Sequence, residues 1–170
     1  MLFRSVMILA PRHAERFAKV AQLLKNRNEQ SVRRSNWMKR PSKIKPGTVI
    51  LLDSIGELAS VYALATVAFV GGSLIPWGGH NPLEPAQFAV PVVMGTYYAN
   101  FRSIIDTLVQ AEALKLATVE TLAPILENLL TDDEAANNLG VRALEVFHHQ
   151  SGATGRAITA LLGLLPQKQA

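Results

Sequence analysis

No cysteine occurs in this chain, so disulfide frameworks, thiolate metal centres and cysteine nucleophiles are all excluded. Charged residues are sparse at 18%, and set against 49% hydrophobic residues this describes a globular chain rather than a disordered one. No stretch reaches the roughly 20 apolar residues that a membrane-spanning helix requires. The opening Met1–Pro11 holds one arginine and a short apolar run, which suits a buried strand better than a signal peptide. Also missing are the GxGxxG and GxxxxGK[ST] spacings of dinucleotide and P-loop sites, and any nucleophile elbow with a Ser-His-Asp arrangement. The histidines lack metal-ligand spacing, and Asp132, Asp133 and Glu134 read as a helix-start cluster. Neither a metal nor a cofactor is expected.

What remains is a chain of 170 residues, long enough to bury a real core and read as a single domain over 1–170. Its formal charge of +4 is largely local. Arg27, Arg33, Arg34, Lys39, Arg40, Lys43 and Lys45 fall in one stretch. Such a run is either a solvated loop or an attractor of phosphates on nucleic acid or an anionic membrane.

Along the chain, short apolar runs alternate with amphipathic ones. Strands are expected over Phe3–Ala10, Thr48–Asp53, Val67–Val70, Pro91–Gly95 and around Leu116–Val119, the first covered on both faces. Helices are expected over Ala14–Lys25, Glu57–Ala65, Leu83–Phe88, Asn100–Glu112 and Leu122–Leu130. A largely helical tail over Asp133–Leu165 is interrupted at Gly152 and Gly155, and Asn26–Gly47 reads as a polar, basic connection. This alternation implies an α/β fold, a doubly wound parallel sheet with helices on both faces. In such sheets ligands sit beyond the carboxyl ends of the strands. The residues there are Pro11-Arg12-His13, Asp53 to Glu57, Gly71 to Glu84 and Gly95 to Asn100.

Gly71-Gly72-Ser73 lets backbone amides approach a ligand, or simply turns the chain. Gly78-Gly79-His80-Asn81-Pro82-Leu83-Glu84 is more specific. A glycine pair feeds a helix start in which Asn81 is the expected N-cap and Pro82 a first-turn residue, an arrangement that offers amides to an anion. Glu84 either complements the helix dipole or accepts both hydroxyls of a ribose. Arg12 is either an exposed loop residue or a forked donor to phosphate oxygens. His13 orients Arg12 or caps the following helix. His80 binds a carboxylate or phosphate, or holds its loop. His148 and His149 read as surface or packing residues.

Taken in order, APRHAERF (Ala10–Phe17), RRS (Arg33–Ser35), LLDSIGEL (Leu51–Leu58), AFVGGSL (Ala68–Leu74), GGHNPLEPA (Gly78–Ala86), PVVMG (Pro91–Gly95) and Asn100-Phe101 resemble a known family. It is that of the 3-deoxy-D-manno-octulosonic acid (Kdo) transferases, in their C-terminal domain. The resemblance covers nearly the whole chain, and GGHNPLEPA after FVGGS is its most specific part. It implies the Rossmann-like C-terminal half of a GT-B glycosyltransferase of lipopolysaccharide synthesis. Such an enzyme moves Kdo from CMP-Kdo to a lipid A precursor at the cytoplasmic face of the bacterial inner membrane. The CMP contacts it implies are Pro11, Arg12, Gly56, Glu57, Leu58, Asn81, Pro82, Leu83 and Glu84, with Ser73 and His80 inside matching segments. It implies no catalytic residue in this chain, since the family's general base is a glutamate of an N-terminal acceptor domain that the sequence lacks. Trp77 stands where a polar or basic residue is expected.

Two other readings use the same features. A UDP-sugar transferase or nucleotide-sugar epimerase would employ an equivalent glycine loop and first-turn glutamate. A non-catalytic module would use Arg33–Lys45 for nucleic acid or anionic lipid, but that stretch offers only Trp37 for stacking.

Overall fold

The structure, a computed structural model, describes the backbone of residues 5–164 and the side chains of residues 5–152. The expected strand start at Phe3 and helix end at Leu165 lie outside the described residues. Contacts group the chain into two compact units, one up to Ser60 and one from Val61.

In the first unit, β1 (Met7–Leu9), β2 (Ser31–Arg33) and β3 (Val49–Leu51) form a parallel sheet in the order β1-β3-β2. Ile50 of β3 lies opposite Ile8 on one side and Val32 on the other. Between β1 and β2 runs α1 (Phe17–Asn26), entered through a 3-10 turn at Ala14–Arg16. Two expectations need correction here. β1 is not covered on both faces: it pairs with β3 alone, and Met7 and Ile8 remain 54% and 37% exposed. Nor is Asn26–Gly47 merely a solvated connection, since it contains β2 and α2 (Arg34–Lys39). The strand forms despite its single apolar residue, Val32, because its neighbour β3 supplies both the hydrogen-bond ladder and the buried Leu51.

In the second unit, β4 (Ala68–Val70), β5 (Val92–Gly95) and β6 (Lys115–Ala117) form a parallel sheet in that order. The continuous apolar run of β5 is explained by burial on both faces. Val92 and Met94 pack with Ile105 and Leu108 of α5 (Arg102–Gln110) and with Ala143 and Val146 of α7 (Asp133–Leu164). Val93 faces the other way, toward Leu129 of α6 (Val119–Thr131) and Ala136 and Leu139 of α7. The helix α6 begins three residues ahead of the expected Leu122, because Thr118 and Thr121 cap each other reciprocally. The expected Asp132 cluster does start α7, with Asp132 Oδ1 accepting the Ala135 N–H at 2.9 Å. The helix then runs unbroken through Gly152 and Gly155. Two glycines cost an established helix only about 1 kcal/mol each, less than is needed to end one. Among the described residues no helix is long and apolar enough to cross a membrane.

Candidate functional site

The second unit carries the glycine-rich loop that follows β4. Gly72 and Gly79 close it, with the Gly79 N–H donating to the Gly72 carbonyl at 2.9 Å. The His80 ring lies against Gly72, where a Cβ would sit 3.1 Å from Nε2. Backbone and side-chain bonds fasten the loop to β5 and to the segment after it. Tyr97 N–H donates to the Ser73 carbonyl at 2.9 Å, Asn100 N–H to the Gly78 carbonyl at 3.0 Å, and Gly95 N–H to Ser73 Oγ at 2.8 Å. Beside this junction lies a cavity of about 240 Å³, lined by Pro76, Gly78, Thr96, Tyr97, Tyr98, Ala99 and Arg102. Trp77, at the rim residue where a polar side chain was expected, is 63% exposed.

Three sequence expectations change in this loop. Ser73 is wholly buried, and its hydroxyl also donates to the Val70 carbonyl at 2.7 Å; it can serve a ligand only by holding the loop. The helix expected over Leu83–Phe88 is the short α4 (Leu83–Ala86), and Pro82, not Asn81, occupies its N-cap position. Asn81 Oδ1 accepts the Leu83 N–H at 3.0 Å, the side-chain bond expected of a capping residue. With Pro82 and Pro85 lacking N–H groups and Leu83 so engaged, the helix start offers an anion fewer amides than the sequence suggested. Pro82 is fully buried and Leu83 partly so, packed against the core around Val92 and Met94. Asn81 and Glu84 are half-buried polar residues of the same turn.

Tyr62, at the end of α3 (Leu58–Tyr62), was not singled out by sequence. Burial pushes its hydroxyl from 10.0 up to about 12, and the charge of Glu84 adds to the rise. We expect one of the three tyrosines to titrate near pH 12 in ultraviolet difference spectra, and to move down in Glu84→Gln. The unfolded chain releases this proton first. The stability it contributes is therefore complete below pH 10 and lost between 10 and about 12. A Tyr62 titration left unmoved by Glu84→Gln would contradict this placement of Glu84.

In the first unit, Pro11 is partly exposed and Arg12 and His13 are exposed, just beyond β1. The loop after β3 carries Gly56, Glu57 and Leu58, and the RRS segment at the end of β2 holds it. Arg33 Nε donates to Asp53 Oδ2 at 2.7 Å, while Ser35 donates to both Asp53 oxygens, from N–H at 2.8 Å and Oγ at 2.6 Å. Burial alone would raise the Asp53 carboxyl, but the hydrogen bonds from Ser35 and Arg33 and the Arg33 charge outweigh it, holding it below its ordinary value. Arg34 Nη2 donates to Glu57 Oε1 at 3.1 Å, and Ser54 Oγ donates to Glu57 Oε2. Arg34 also lies over the Trp37 ring, 5.7 Å from its centroid. Its Nη1 is buried with no hydrogen-bond partner. An ion pair whose side chains are 23% and 40% exposed contributes about 0–1 kcal/mol, whereas enclosing an unmatched N–H costs about 1–3 kcal/mol.

Sequence comparisons place these motifs. No protein-family model matches the chain. It is 40% identical to 3-deoxy-D-manno-octulosonic acid transferase from Haemophilus influenzae over 92% of its length, covering 36% of that protein. It is 31% identical to the Bordetella pertussis transferase of the same name over 93% of its length, covering 37% of that protein. The chain thus spans about a third of the length of these curated relatives. A crystal structure of the C-terminal CMP-Kdo binding domain of WaaA from Acinetobacter baumannii superimposes with a TM-score of 0.76 at 42% identity, over 83% of this chain and 72% of that one. Parallel strands, intervening helices and the ordered motifs agree with that likeness, and the chain belongs to the 3-deoxy-D-manno-octulosonic acid transferase family, matching its C-terminal domain.

Proposed function

We propose that this chain is the donor-binding part of a Kdo transferase and holds the CMP portion of CMP-Kdo. The observation that carries the reading is its 42% identity to a CMP-Kdo binding domain over most of both chains. Arg12 supplies a forked donor to the nucleotide phosphate. The family motifs assign further contacts to the Gly56–Leu58 loop of the first unit and, in the second, to the Asn81–Glu84 turn, with Glu84 accepting ribose hydroxyls. His80 keeps the glycine loop in shape against Gly72, and Ser73 ties that loop to β5. We read the chain over 1–170 as one nucleotide-sugar-binding domain in this role.

Sugar transfer with a nucleotide leaving group needs stabilisation of the departing phosphate and a base at the acceptor hydroxyl. Arg12 serves the first, since positive charge fixed beside the phosphate favours the transition state in which negative charge gathers there. The resemblance puts the base in an acceptor domain, and the role proposed for these 170 residues is to hold the donor. The lipid A precursor as acceptor, and the cytoplasmic face of the inner membrane as the place of action, are part of the same reading.

The test is thermal. CMP at a hundred times its dissociation constant adds about 2.7 kcal/mol to stability, equivalent to a rise of roughly 5–10 °C for a chain of this size. UDP and GDP at the same concentration should raise the midpoint far less. No shift with CMP, or equal shifts with all three nucleotides, would sink the assignment; steep salt dependence of binding to DNA or anionic vesicles without a CMP effect would favour the anion-binding module instead.

A further inference from the structure

We propose that Arg34 is a positioning residue whose guanidinium locks Glu57, and through it the Ser54–Leu58 loop, in the shape that receives the nucleotide; this rests on the donor-binding reading above. Both oxygens of the Glu57 carboxylate are already engaged inside the protein, one by Arg34 and the other by Ser54. The side chain is therefore a strut of the loop rather than an open acceptor. What the loop turns outward is Ile55, 74% exposed, and the exposed Gly56 with its backbone at φ +89°. A left-handed glycine between a tethered serine and a tethered glutamate keeps neighbouring amides pointed in one direction only while both tethers hold.

The tethers come from consecutive residues. Arg33 and Ser35 fix Asp53 at the loop's entrance, and Arg34 fixes Glu57 at its exit. Arg34 is itself held by the Trp37 face, and Trp37 by its Nε1 donating to the Ser42 carbonyl at 2.7 Å. Arg34 Nη2 is spent on Glu57 and Nη1 is buried, so the role assigned to Arg34 runs through Glu57.

The experiment uses the whole chain, with calorimetry of CMP binding and amide hydrogen exchange over Ser54–Leu58. Arg34→Ala is expected to weaken CMP about tenfold and to speed exchange across the loop by a similar factor, the size of a typical local coupling. Arg34→Lys, which retains a cation for Glu57, should recover most of both effects. In Arg34→Ala combined with Glu57→Ala, affinity should fall no further than in Glu57→Ala alone. Unchanged exchange in Arg34→Ala overturns the proposal, as does an Arg34→Lys variant no better than alanine. If Arg34→Ala binds CMP like the parent while Arg12→Ala does not, the positioning role is lost and the donor reading stands. If the parent chain ignores CMP yet exchange still rises, the donor reading is lost and the loop lock stands.

Discussion

Gly95→Ala is expected to cost about 4 kcal/mol, a loss reserved for a few mechanisms of which overpacking against backbone is one. A Cβ at Gly95 would sit 2.0 Å from the Ser73 carbonyl oxygen, 2.3 Å from its carbon and 2.6 Å from the Leu74 nitrogen. None of these is the tip of a flexible side chain. Relief requires β5 and the GGS turn to part, and parting breaks the bond from Gly95 N–H to the buried Ser73 Oγ. For a chain of this length the loss corresponds to roughly 8–16 °C in the unfolding midpoint. Gly71→Ala is the control, because nothing lies within 4 Å of a Cβ there and its backbone is not left-handed. A midpoint for Gly95→Ala within about 2 °C of both the parent and Gly71→Ala would show that the loop is not pressed against β5.

The same pair of glycines shows what a sequence reveals and what it hides. Pro91–Gly95 was legible as a strand because burial on both faces demands an unbroken apolar run, and the strand is Val92–Gly95. That Gly95 is needed for the approach of Ser73, 22 residues away, leaves no local mark. β2 was missed for a related reason. Ser31-Val32-Arg33 has neither alternation nor a run, and becomes a strand only through its ladder with β3. The family motif points to the first candidate loop, but nothing local marks that the Glu57 carboxylate there is bound to Arg34, 23 residues earlier. Sequence spacing carries faces of helices and strands; it does not carry which charge at a strand end finds which partner. The Asn81 turn failed differently. Asn81 and Pro82 satisfy the helix-start pattern and Asn81 Oδ1 does accept the Leu83 N–H, but a left-handed residue at Ala89 (φ +55°) follows so soon that α4 is only four residues long.

The donor reading makes its largest demand on Arg12 and Glu84. Hydrogen bonds to charged groups contribute about 1.5–3 kcal/mol, so Arg12→Ala should weaken CMP by roughly 10- to 150-fold. Its loss should also flatten the fall of affinity with salt, since a guanidinium facing a phosphate is the charge that salt screens. Glu84→Ala should produce a loss of similar size, but with a distinct signature. If the carboxylate accepts both ribose hydroxyls, removing one hydroxyl from the ligand removes part of what the mutation removes. The parent should therefore prefer CMP to 2′-deoxy-CMP, and Glu84→Ala should nearly abolish that preference, a coupling that general damage to the fold cannot imitate. Because Glu84 also bears on Tyr62, the alanine variant should shift the late tyrosine titration as well. A titration that falls but stays above the ordinary value shows that Tyr62 is still buried and only the charge is gone. Equal discrimination between the two nucleotides before and after the mutation would falsify the ribose role of Glu84, while leaving Arg12 to be judged by its own salt dependence.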